Sequence, residues 1–416
     1  MGKDKFKDVQ LLAPAGSFEA LRAAISAGAD AVYFGVDKLN MRARAANNFS
    51  LRNLKKVVSL LHENNMRAYL TLNVVVYDDE LKDVLSVLKK AKEARVDAII
   101  ASDFAIITKA KEIGILVHVS TQANVSNVEA LSFFSAYADV VVLARELSLD
   151  KIKKINKEII KKNIRGPSGN LMRLEVFIHG ALCVSISGKC YMSLAKYNHS
   201  ANRGDCLQPC RRKYRVFDEE TKKELIVDND FVMSPSDLCT IESLPLLLDA
   251  GASVLKIEGR GRSPEYVYEV VRAYREAINL IRQKKYTKSV ASSLKTRLKK
   301  VFNRGFWEGG YYLGSKINEW ANTYGSKASH KKLLVGKVTN YYSKKNVASI
   351  LVESNSFKKG DSLIILGPTT GIINFVCEGI QKESSSINVA SKGELVSVIV
   401  PSKVRKNDKV YVQRKS

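Results

Sequence analysis

A short apolar run, Val9-Gln10-Leu11-Leu12-Ala13, is followed by apolar residues at helical spacing and then by a second run, Ala31-Val32-Tyr33-Phe34-Gly35. Between the two runs, Phe18, Leu21 and Ile25 recur at intervals that place them on one face of a helix. Apolar runs of this length, bounded by turn residues, are typical of buried strands. The stretch therefore predicts a strand, a helix and a second strand, which is the unit that builds parallel sheets.

The same alternation continues as far as residue 258. Eight strand-like runs can be recognised, at 9–13, 31–35, 67–73, 97–101, 116–120, 139–143, 174–180 and 253–258. Eight parallel strands with intervening helices predict an α/β fold, a (β/α)8 TIM-like barrel. An open doubly wound sheet rarely needs this many units, and the first turn, Ala13-Pro14-Ala15-Gly16-Ser17, is not a dinucleotide-binding fingerprint.

The spacing of the strands predicts the domain limits. Most connections are compact, but about 70 residues separate the seventh strand from the eighth. We therefore predict a barrel at 1–300 with an insertion at 181–252 after strand 7, a linker at 301–332, and a small all-β barrel at 333–416, where short strands with turn signals take over. Because barrel chemistry is built on loops after the strand C-termini, the insertion is the expected active-site loop.

Composition excludes a disordered chain and a membrane protein. Hydrophobic residues make up 45% and charged residues 26% of the chain, an ordinary globular balance. No apolar run approaches the roughly 18 residues that a membrane span requires. We expect no membrane partner.

The strong positive charge predicts a polyanionic partner. The chain has 67 Lys and Arg against 42 Asp and Glu, a net charge of +25. Basic residues cluster at 151–162, at 282–300 and at Arg211-Arg212-Lys213, and we predict that this last group binds RNA. An even spread of lysine over exposed helix faces is the alternative.

Five of the six cysteines lie close together, at Cys183, Cys190, Cys206, Cys210 and Cys239. No secretory pattern opens the chain, so we expect these thiols in a reducing cytoplasm, where they bind metal or react. Structural zinc would require two close pairs, and a catalytic cysteine would leave four thiols unexplained. Four thiolates around an iron-sulfur cluster explain the group best, so we prefer this interpretation to zinc and to a catalytic cysteine, which both stay open at this point.

Charged residues on the last two strands are candidates for catalysis and binding. Glu175 and His179 occupy alternate positions and should point the same way into the barrel mouth, as a catalytic pair or as a satisfied structural pair. On the eighth strand Lys256 and Glu258 alternate similarly and lead to Arg260, which could bind phosphate or carboxylate or form a salt bridge that closes the barrel.

Two uncharged side chains are predicted at the same rim. Asn73 ends the third strand and Gln122 follows the fifth, so both are expected to bind a polar substrate, although both residue types are also common in turns. Peptidase signatures are missing from the sequence. His62-Glu63-Asn64-Asn65-Met66 has no second histidine for a zinc peptidase, and there is no Gly-x-Ser-x-Gly elbow.

Several motifs resemble one known family over nearly the whole chain. They are Leu12-Ala13-Pro14-Ala15-Gly16-Ser17, Asp30-Ala31-Val32-Tyr33-Phe34-Gly35, the block from Glu175 to Cys183, Ser187-Gly188-Lys189-Cys190, the block from Asn202 to Arg211, Asp237-Leu238-Cys239 and Lys256-Ile257-Glu258-Gly259-Arg260. The chain thus resembles the collagenase-like peptidase family of unassigned catalytic type that is numbered thirty-two.

This resemblance implies a function and a cofactor. Similar family members act in oxygen-independent hydroxylation of tRNA wobble uridine, of ribosomal RNA cytidine or of the ubiquinone ring, and several hold a 4Fe-4S cluster. The resemblance implies Cys183, Cys190, Cys206 and Cys239 as ligands, with Cys206 and Cys210 able to exchange roles. It also implies prephenate, a small carboxylate, as an additional requirement.

Charge and length favour one branch of the family. The net charge of +25 and the C-terminal appendage favour RNA over ubiquinone, and the chain length is similar to that of the tRNA-modifying members. We therefore expect an enzyme that forms 5-hydroxyuridine at the tRNA wobble position. A peptidase acting on collagen-like chains and a non-catalytic RNA-binding scaffold with structural zinc are the alternatives.

Overall fold

The structure, a computed structural model, describes residues 6, 8–44, 48–187, 189–225, 233–307, 310–313, 320, 321, 323, 325–383 and 385–416. Strands and helices alternate in its first part. The strands are β1 (Gln10–Pro14), β2 (Ala31–Phe34), β3 (Arg67–Leu72), β4 (Ala98–Ala101), β5 (Leu116–Val119), β6 (Val140–Val142) and β7 (Arg173–Gly180). The helices are α1 (Phe18–Ser26), α2 (Leu54–His62), α3 (Leu81–Glu93), α4 (Phe104–Glu112), α5 (Val128–Ser135) and α6 (Leu149–Lys161).

The long insertion and the segment that follows it contain short elements and two longer helices. The insertion includes α7 (Met192–Tyr197), β8 (Val216–Asp218), β9 (Lys223–Leu225), β10 (Asp237–Cys239) and α8 (Leu244–Asp249). After it come β11 (Ala252–Ile257), α9 (Pro264–Arg282), α10 (Lys288–Leu298), β12 (Phe306–Trp307) and α11 (Gly310–Leu313).

Eight parallel strands close into a barrel. Strands β1 to β7 pair in order, and β11 pairs in parallel with both β1 and β7. The predicted TIM-like barrel is therefore confirmed. A small apolar cluster that includes Leu12, Tyr69 and Ile100 lies inside it, whereas the large core lies between the strands and the surrounding helices. This is the packing expected when each strand alternates inward and outward side chains.

Strand β7 is longer than its neighbour β6 and carries an extension of the sheet. The pairing of β6 stops at Glu175, which leaves the end of β7 free on that side. Strand β10 pairs there in antiparallel orientation, with Leu238 opposite Gly180 and Cys239 opposite His179, and β12 adds to β10. The sequence did not predict this extension, because it joins segments that are far apart in the chain.

Side-chain caps fix the starts of several barrel helices. Ser17 Oγ accepts a hydrogen bond from the Ala20 amide at 3.2 Å, and Asp103 Oδ1 accepts one from Ala105 at 2.9 Å. Such caps satisfy amide groups that have no partner within the helix. None of the helices in the described part of the chain combines the length and the apolar character needed to cross a membrane.

The C-terminal part is all-β and antiparallel, as predicted. Its strands are β13 (His330–Tyr342), β14 (Val347–Val352), β15 (Phe357–Lys358), β16 (Ser362–Gly367), β17 (Gly371–Val376), β18 (Ile380–Lys382), β19 (Ser385–Ile387), β20 (Val389–Ala390), β21 (Leu395–Ile399) and β22 (Lys409–Lys415). The main sheet has the order β17-β16-β22-β13-β14-β21-β18-β19. Within the described residues no pairing joins its two outer strands, so closure into a barrel stays a prediction.

The all-β part packs against helices α1 and α9 of the barrel. Ile364, Leu366 and Ile372 belong to the same apolar core as the barrel helices. Arg22 Nε donates to the Pro368 carbonyl at 3.0 Å, and Lys332 Nζ lies 2.8 Å from Glu265 Oε1. Of the predicted linker, Phe306–Trp307 forms strand β12, whereas residues 308, 309, 314–319, 322 and 324 lie outside the described residues.

Gly180 is the point where the chain leaves the barrel for the insertion, and we predict that its substitution destabilises the fold. Its φ is +106°, and a Cβ atom would lie 2.6 Å from the Glu258 carbonyl oxygen. Gly169 also has a positive φ, +79°, but a Cβ there would meet nothing within 4 Å. Gly169→Ala should lower the free energy of unfolding by about 1 kcal/mol through backbone strain alone.

Gly180→Ala should lower it by at least about 1 kcal/mol more, because the clash with the Glu258 carbonyl, directly after β11, adds to the same strain. Urea denaturation of the full chain would measure both variants. Equal losses in the two variants would show that the close approach of β7 to β11 is unimportant.

Candidate functional site

A buried ion pair lies inside the barrel between β7 and β11. Lys256 Nζ lies 2.6 Å from Glu175 Oε1, and both side chains are almost completely buried. The second carboxylate oxygen of Glu175 faces His118 Nδ1 at 3.6 Å, longer than an ordinary hydrogen bond. His118 lies on β5, and the sequence analysis missed it. Its place in the middle of the predicted strand 116–120 was the signal that could have marked it as buried.

These neighbours decide the charge states of the buried groups. Burial alone would raise the pKa of Glu175, but Lys256 and His118 outweigh it and hold the pKa of this carboxyl below its usual range. Burial lowers the pKa of His118, although Glu175 opposes the shift. Glu175 is therefore an ionised partner of Lys256, and the imidazole beside it is neutral at neutral pH.

The predicted orientation of His179 is wrong. The pairing of β7 with β11 is regular from Glu175 opposite Val254 to Phe177 opposite Lys256, and the next pair is His179 opposite Ile257, so one extra residue of β7 lies between them. This irregularity ends the simple alternation of side chains. His179 consequently packs between Tyr266, Tyr274 and Phe306, and does not share a face with Glu175.

A cavity of about 280 Å³ opens at the C-terminal ends of the barrel strands. The predicted substrate-binding residues Asn73, Gln122 and Arg260 all line it. Asn73 Nδ2 donates to Gln122 Oε1 at 3.4 Å, and Asn73 Oδ1 accepts from the Met41 amide at 3.2 Å. The structure thus brings these side chains to one rim, and their role in binding substrate stays a prediction.

Cationic side chains dominate this cavity. The lining includes Arg42, Arg145, Arg211, Lys256, Arg260, Arg262 and Arg304. Glu258 is the carboxylate among the lining residues that the structure describes, and Arg42 Nη2 binds it at 3.0 Å. The surplus of positive charge in a partly enclosed space favours an anionic ligand.

Some of these cations bind neutral groups. Arg260 Nη1 donates to Asn40 Oδ1 at 3.0 Å and to Thr71 Oγ1 at 2.7 Å, and burial lowers its pKa to about 10. The guanidinium of Arg145 lies over the ring of Phe177, 4.4 Å from the centroid, and its buried Nε has no hydrogen-bond partner among the described residues. Unsatisfied buried donors of this kind are costly unless a ligand completes them.

Four of the clustered cysteines lie near one another, and three of them border the cavity. Cys183, Cys206 and Cys210 contribute to its lining. Burial raises the pKa of Cys210 to about 11, with smaller contributions from Cys183, Cys206 and Cys190. Burial alone would raise the pKa of the Cys183 thiol. Hydrogen bonds with Ser185 and the charges of Arg145 and Arg42 outweigh burial, so the pKa of this thiol is lowered. In the described residues no three His, Cys, Asp or Glu side chains are already spaced to hold a metal ion.

Cys239 lies apart from this group. It is buried in the apolar core on β10, where Tyr274 of α9 hydrogen-bonds to its thiol. Burial raises the pKa of Cys239 to about 12. The structure therefore brings together four of the five predicted thiols, and the pairing of β10 with the end of β7 carries Cys239 to the helix side.

The predicted RNA-binding group does not act as one surface. Arg211 is buried, where it donates to Ser234 Oγ at 3.0 Å, to the Pro235 carbonyl at 2.8 Å and to the Leu182 carbonyl. It therefore joins the start of the insertion, at Leu182, to its later part, at Ser234 and Pro235. Arg212 and Lys213 are exposed, and Arg212 donates to the hydroxyl of Tyr197.

A parallel barrel whose mouth combines a cationic cavity with neighbouring thiols defines a barrel enzyme, because the chemistry of this fold is built on the loops at that end. The model of Peptidase family U32 matches residues 16–322, and the chain belongs to this family.

Its relatives carry two kinds of name. The chain is 48% identical over 404 residues to a protein named collagenase from Porphyromonas gingivalis, and the match covers 97% of both chains. It is 31% identical over 418 residues to tRNA hydroxylation protein P1 of Bacillus subtilis, covering 97% of this chain and 93% of that protein. It is also 34% identical over 304 residues to the 23S rRNA 5-hydroxycytidine C2501 synthase of Escherichia coli, covering 71% of this chain and 44% of that protein.

We predict that His179 makes stability depend on pH. Burial, with Arg262 nearby, lowers the pKa of His179 to about 3, whereas an imidazole in the unfolded chain has a pKa of about 6.5. The unfolded chain therefore binds a proton below about pH 6.5 that the folded chain does not bind, and stability is lost as the pH falls. Between pH 7 and pH 5 the loss from this residue should be about 2 kcal/mol.

His179→Phe keeps an aromatic ring in the same pocket and should make this part of the pH dependence disappear. Urea denaturation of both proteins at several pH values would measure it. The same fall in both proteins would mean that His179 is protonated or accessible in the folded state.

Proposed function

We propose that this protein hydroxylates an RNA base, most specifically by converting the wobble uridine of tRNA to 5-hydroxyuridine without molecular oxygen. The observation that carries the proposal is the position of four neighbouring cysteines beside a cationic cavity at the barrel mouth. The relatives named for tRNA and ribosomal RNA hydroxylation support it. The net charge of +25 supports a polyanionic substrate.

We propose that the four neighbouring thiols hold a 4Fe-4S cluster. Such clusters are held by cysteine thiolates, and Cys183, Cys190, Cys206 and Cys210 come from one segment and influence one another electrostatically. Cys239 does not fit, because its thiol faces Tyr274 in the apolar core. We therefore propose Cys210 in place of Cys239 as the fourth ligand. When bound, the cluster would supply electron-transfer chemistry at the wall of the cavity.

The residues of the cavity can bind and orient two kinds of ligand. Arg145, Arg260 and Arg262 offer guanidinium groups to carboxylate or phosphate oxygens, which supports a small carboxylate such as prephenate as a co-substrate. The amides of Asn73 and Gln122 can hydrogen-bond to the edge of a uracil ring. A uridine in a single-stranded anticodon loop can enter such a cavity without the cost of opening a duplex.

A peptidase is the second candidate, because the relative that is 48% identical is named collagenase. Hydrolysis by a nucleophile requires a base within hydrogen-bonding reach of it. His179 is buried among aromatic rings, and His118 is buried beside Glu175. Neither of these two imidazoles can serve a nucleophile that lines the cavity.

We predict that the cluster depends on Cys210 and not on Cys239. Protein purified without oxygen should contain about four irons with matching sulfide per chain. Serine substitutions of Cys183, Cys190, Cys206 or Cys210 should each remove most of this iron, whereas Cys239→Ala and the control Cys377→Ala should retain it. Iron and sulfide analysis together with the absorption spectrum would measure the outcome.

Iron lost from Cys239→Ala and retained in Cys210→Ser would restore the ligand set that the family resemblance implies. Wild-type protein without iron or sulfide would contradict the cluster altogether.

We predict that the protein adds one oxygen atom to uridine in tRNA. Expression in a bacterial strain that lacks its own tRNA hydroxylation should produce 5-hydroxyuridine, which mass analysis of digested tRNA detects. Arg260→Leu should lower the yield at least about tenfold, because a buried charged hydrogen-bonding group is lost from the cavity. Arg272→Leu is the matched control. Arg272 is exposed on α9, so this substitution removes the same charge at a position away from the cavity.

Unmodified tRNA in cells that contain cluster-loaded protein would contradict the proposal. Cleavage of denatured collagen by the same protein, lost in Arg260→Leu, would favour the peptidase.

A further inference from the structure

A second cavity of about 310 Å³ lies beside the first. It is formed by the loops that follow β3 and β4 and by the cysteine-bearing insertion. Met41, Asn73 and Gln122 line both cavities, so the two spaces are neighbours across a shared wall. Nothing in the proposed chemistry uses this second space.

One side of the second cavity is apolar and exposed. Phe104 is 56% exposed and Val75 is 46% exposed, and both line the cavity. Large apolar side chains at the rim of a polar pocket are typical of a binding surface. Phe104 is held in place from behind, because its ring stacks on Phe134 with an interplanar angle of 13°. Asp103 fixes the loop on either side by accepting from Ala105 at 2.9 Å and from Val76 at 3.2 Å.

The opposite side comes from the insertion. The backbone carbonyl of Asn202 accepts a hydrogen bond from the Val75 amide at 3.2 Å. The side-chain oxygen of Asn202 accepts one from the Cys190 amide at 3.3 Å. Arg203 joins the insertion to the start of α3 through Glu80, with Nη2 2.6 Å from Oε1. Lys189 supplies a positive charge to the lining. The cavity therefore has an aromatic face, amide groups, the cation of Lys189 and the carboxylate of Asp103, whose two oxygens already accept the Val76 and Ala105 amides.

We propose that this second cavity binds an unpaired base of the RNA next to the base that enters the barrel mouth. The face of the base would stack on Phe104, its polar edge would meet the side-chain amide of Asn202, and Lys189 would contact a phosphate. Aromatic platforms with nearby cations are the usual means of holding single-stranded RNA. The shared wall places the two bases as neighbours along one strand. This inference rests on the proposed function, since it requires an RNA substrate.

A binding cycle tests it with the full-length protein and a fluorescent RNA stem-loop. One RNA has the natural loop, and a second lacks the bases on both sides of the target uridine. Phe104→Ala should weaken binding of the natural loop about tenfold, and Phe104→Trp should retain it. Phe133→Ala is the matched control, because Phe133 is 55% exposed in the same aromatic cluster but does not belong to the lining of the cavity. It should change binding less than about twofold.

The abasic RNA separates stacking from other effects. Because the abasic loop lacks the base that would stack on Phe104, wild type and Phe104→Ala should bind it equally. Equal binding of the natural loop by wild type and Phe104→Ala would overturn the inference while leaving hydroxylation intact. An equal loss in Phe133→Ala, or a tenfold difference that persists with the abasic loop, would also overturn it. Wild-type protein that binds neither RNA would overturn both the inference and the proposed function.

Discussion

The barrel depends on the contact between β7 and β11, because closure brings the last strand back against both the first and the seventh. The ion pair of Lys256 and Glu175 lies across this contact, with 2.6 Å between Nζ and Oε1. Each charge alone would be very costly in the interior, and each makes the other tolerable. Lys256 also lines the cavity at the mouth, so the group that helps to close the barrel contributes to the candidate site.

The irregular pairing at the same contact decides which side chains reach the mouth. Phe177 remains inside and supports Arg145 and Lys256 with its ring, whereas His179 turns to the aromatic residues of α9. The free edge of β7 then accepts β10, which places Cys239 in the core. The backbone pairing of β7 thus keeps His179 and Cys239, two candidate site residues of the sequence analysis, out of the cavity.

The insertion gives the mouth its chemical character. Buried Arg211 joins the start of the insertion to its later part, and three of the four neighbouring cysteines line the same cavity as Arg145 and Arg260. Thiols and uncompensated cations thus face one space, where they can hold a cofactor and an anionic ligand side by side. The same insertion also forms one wall of the second cavity, so the two spaces share a common support.

The sequence by itself determined the eight strands, the place of the insertion and the common rim of Asn73, Gln122 and Arg260. Those features depend on local apolar periodicity and on the fact that parallel strands end at the same side of a barrel. Tertiary structure decided the pairing of Glu175 with Lys256 beside His118, the outward turn of His179, the burial of Arg211 and the separation of Cys239 from the other thiols. Each of these depends on one extra residue in β7 or on contacts between distant segments, and local periodicity carries no information about either.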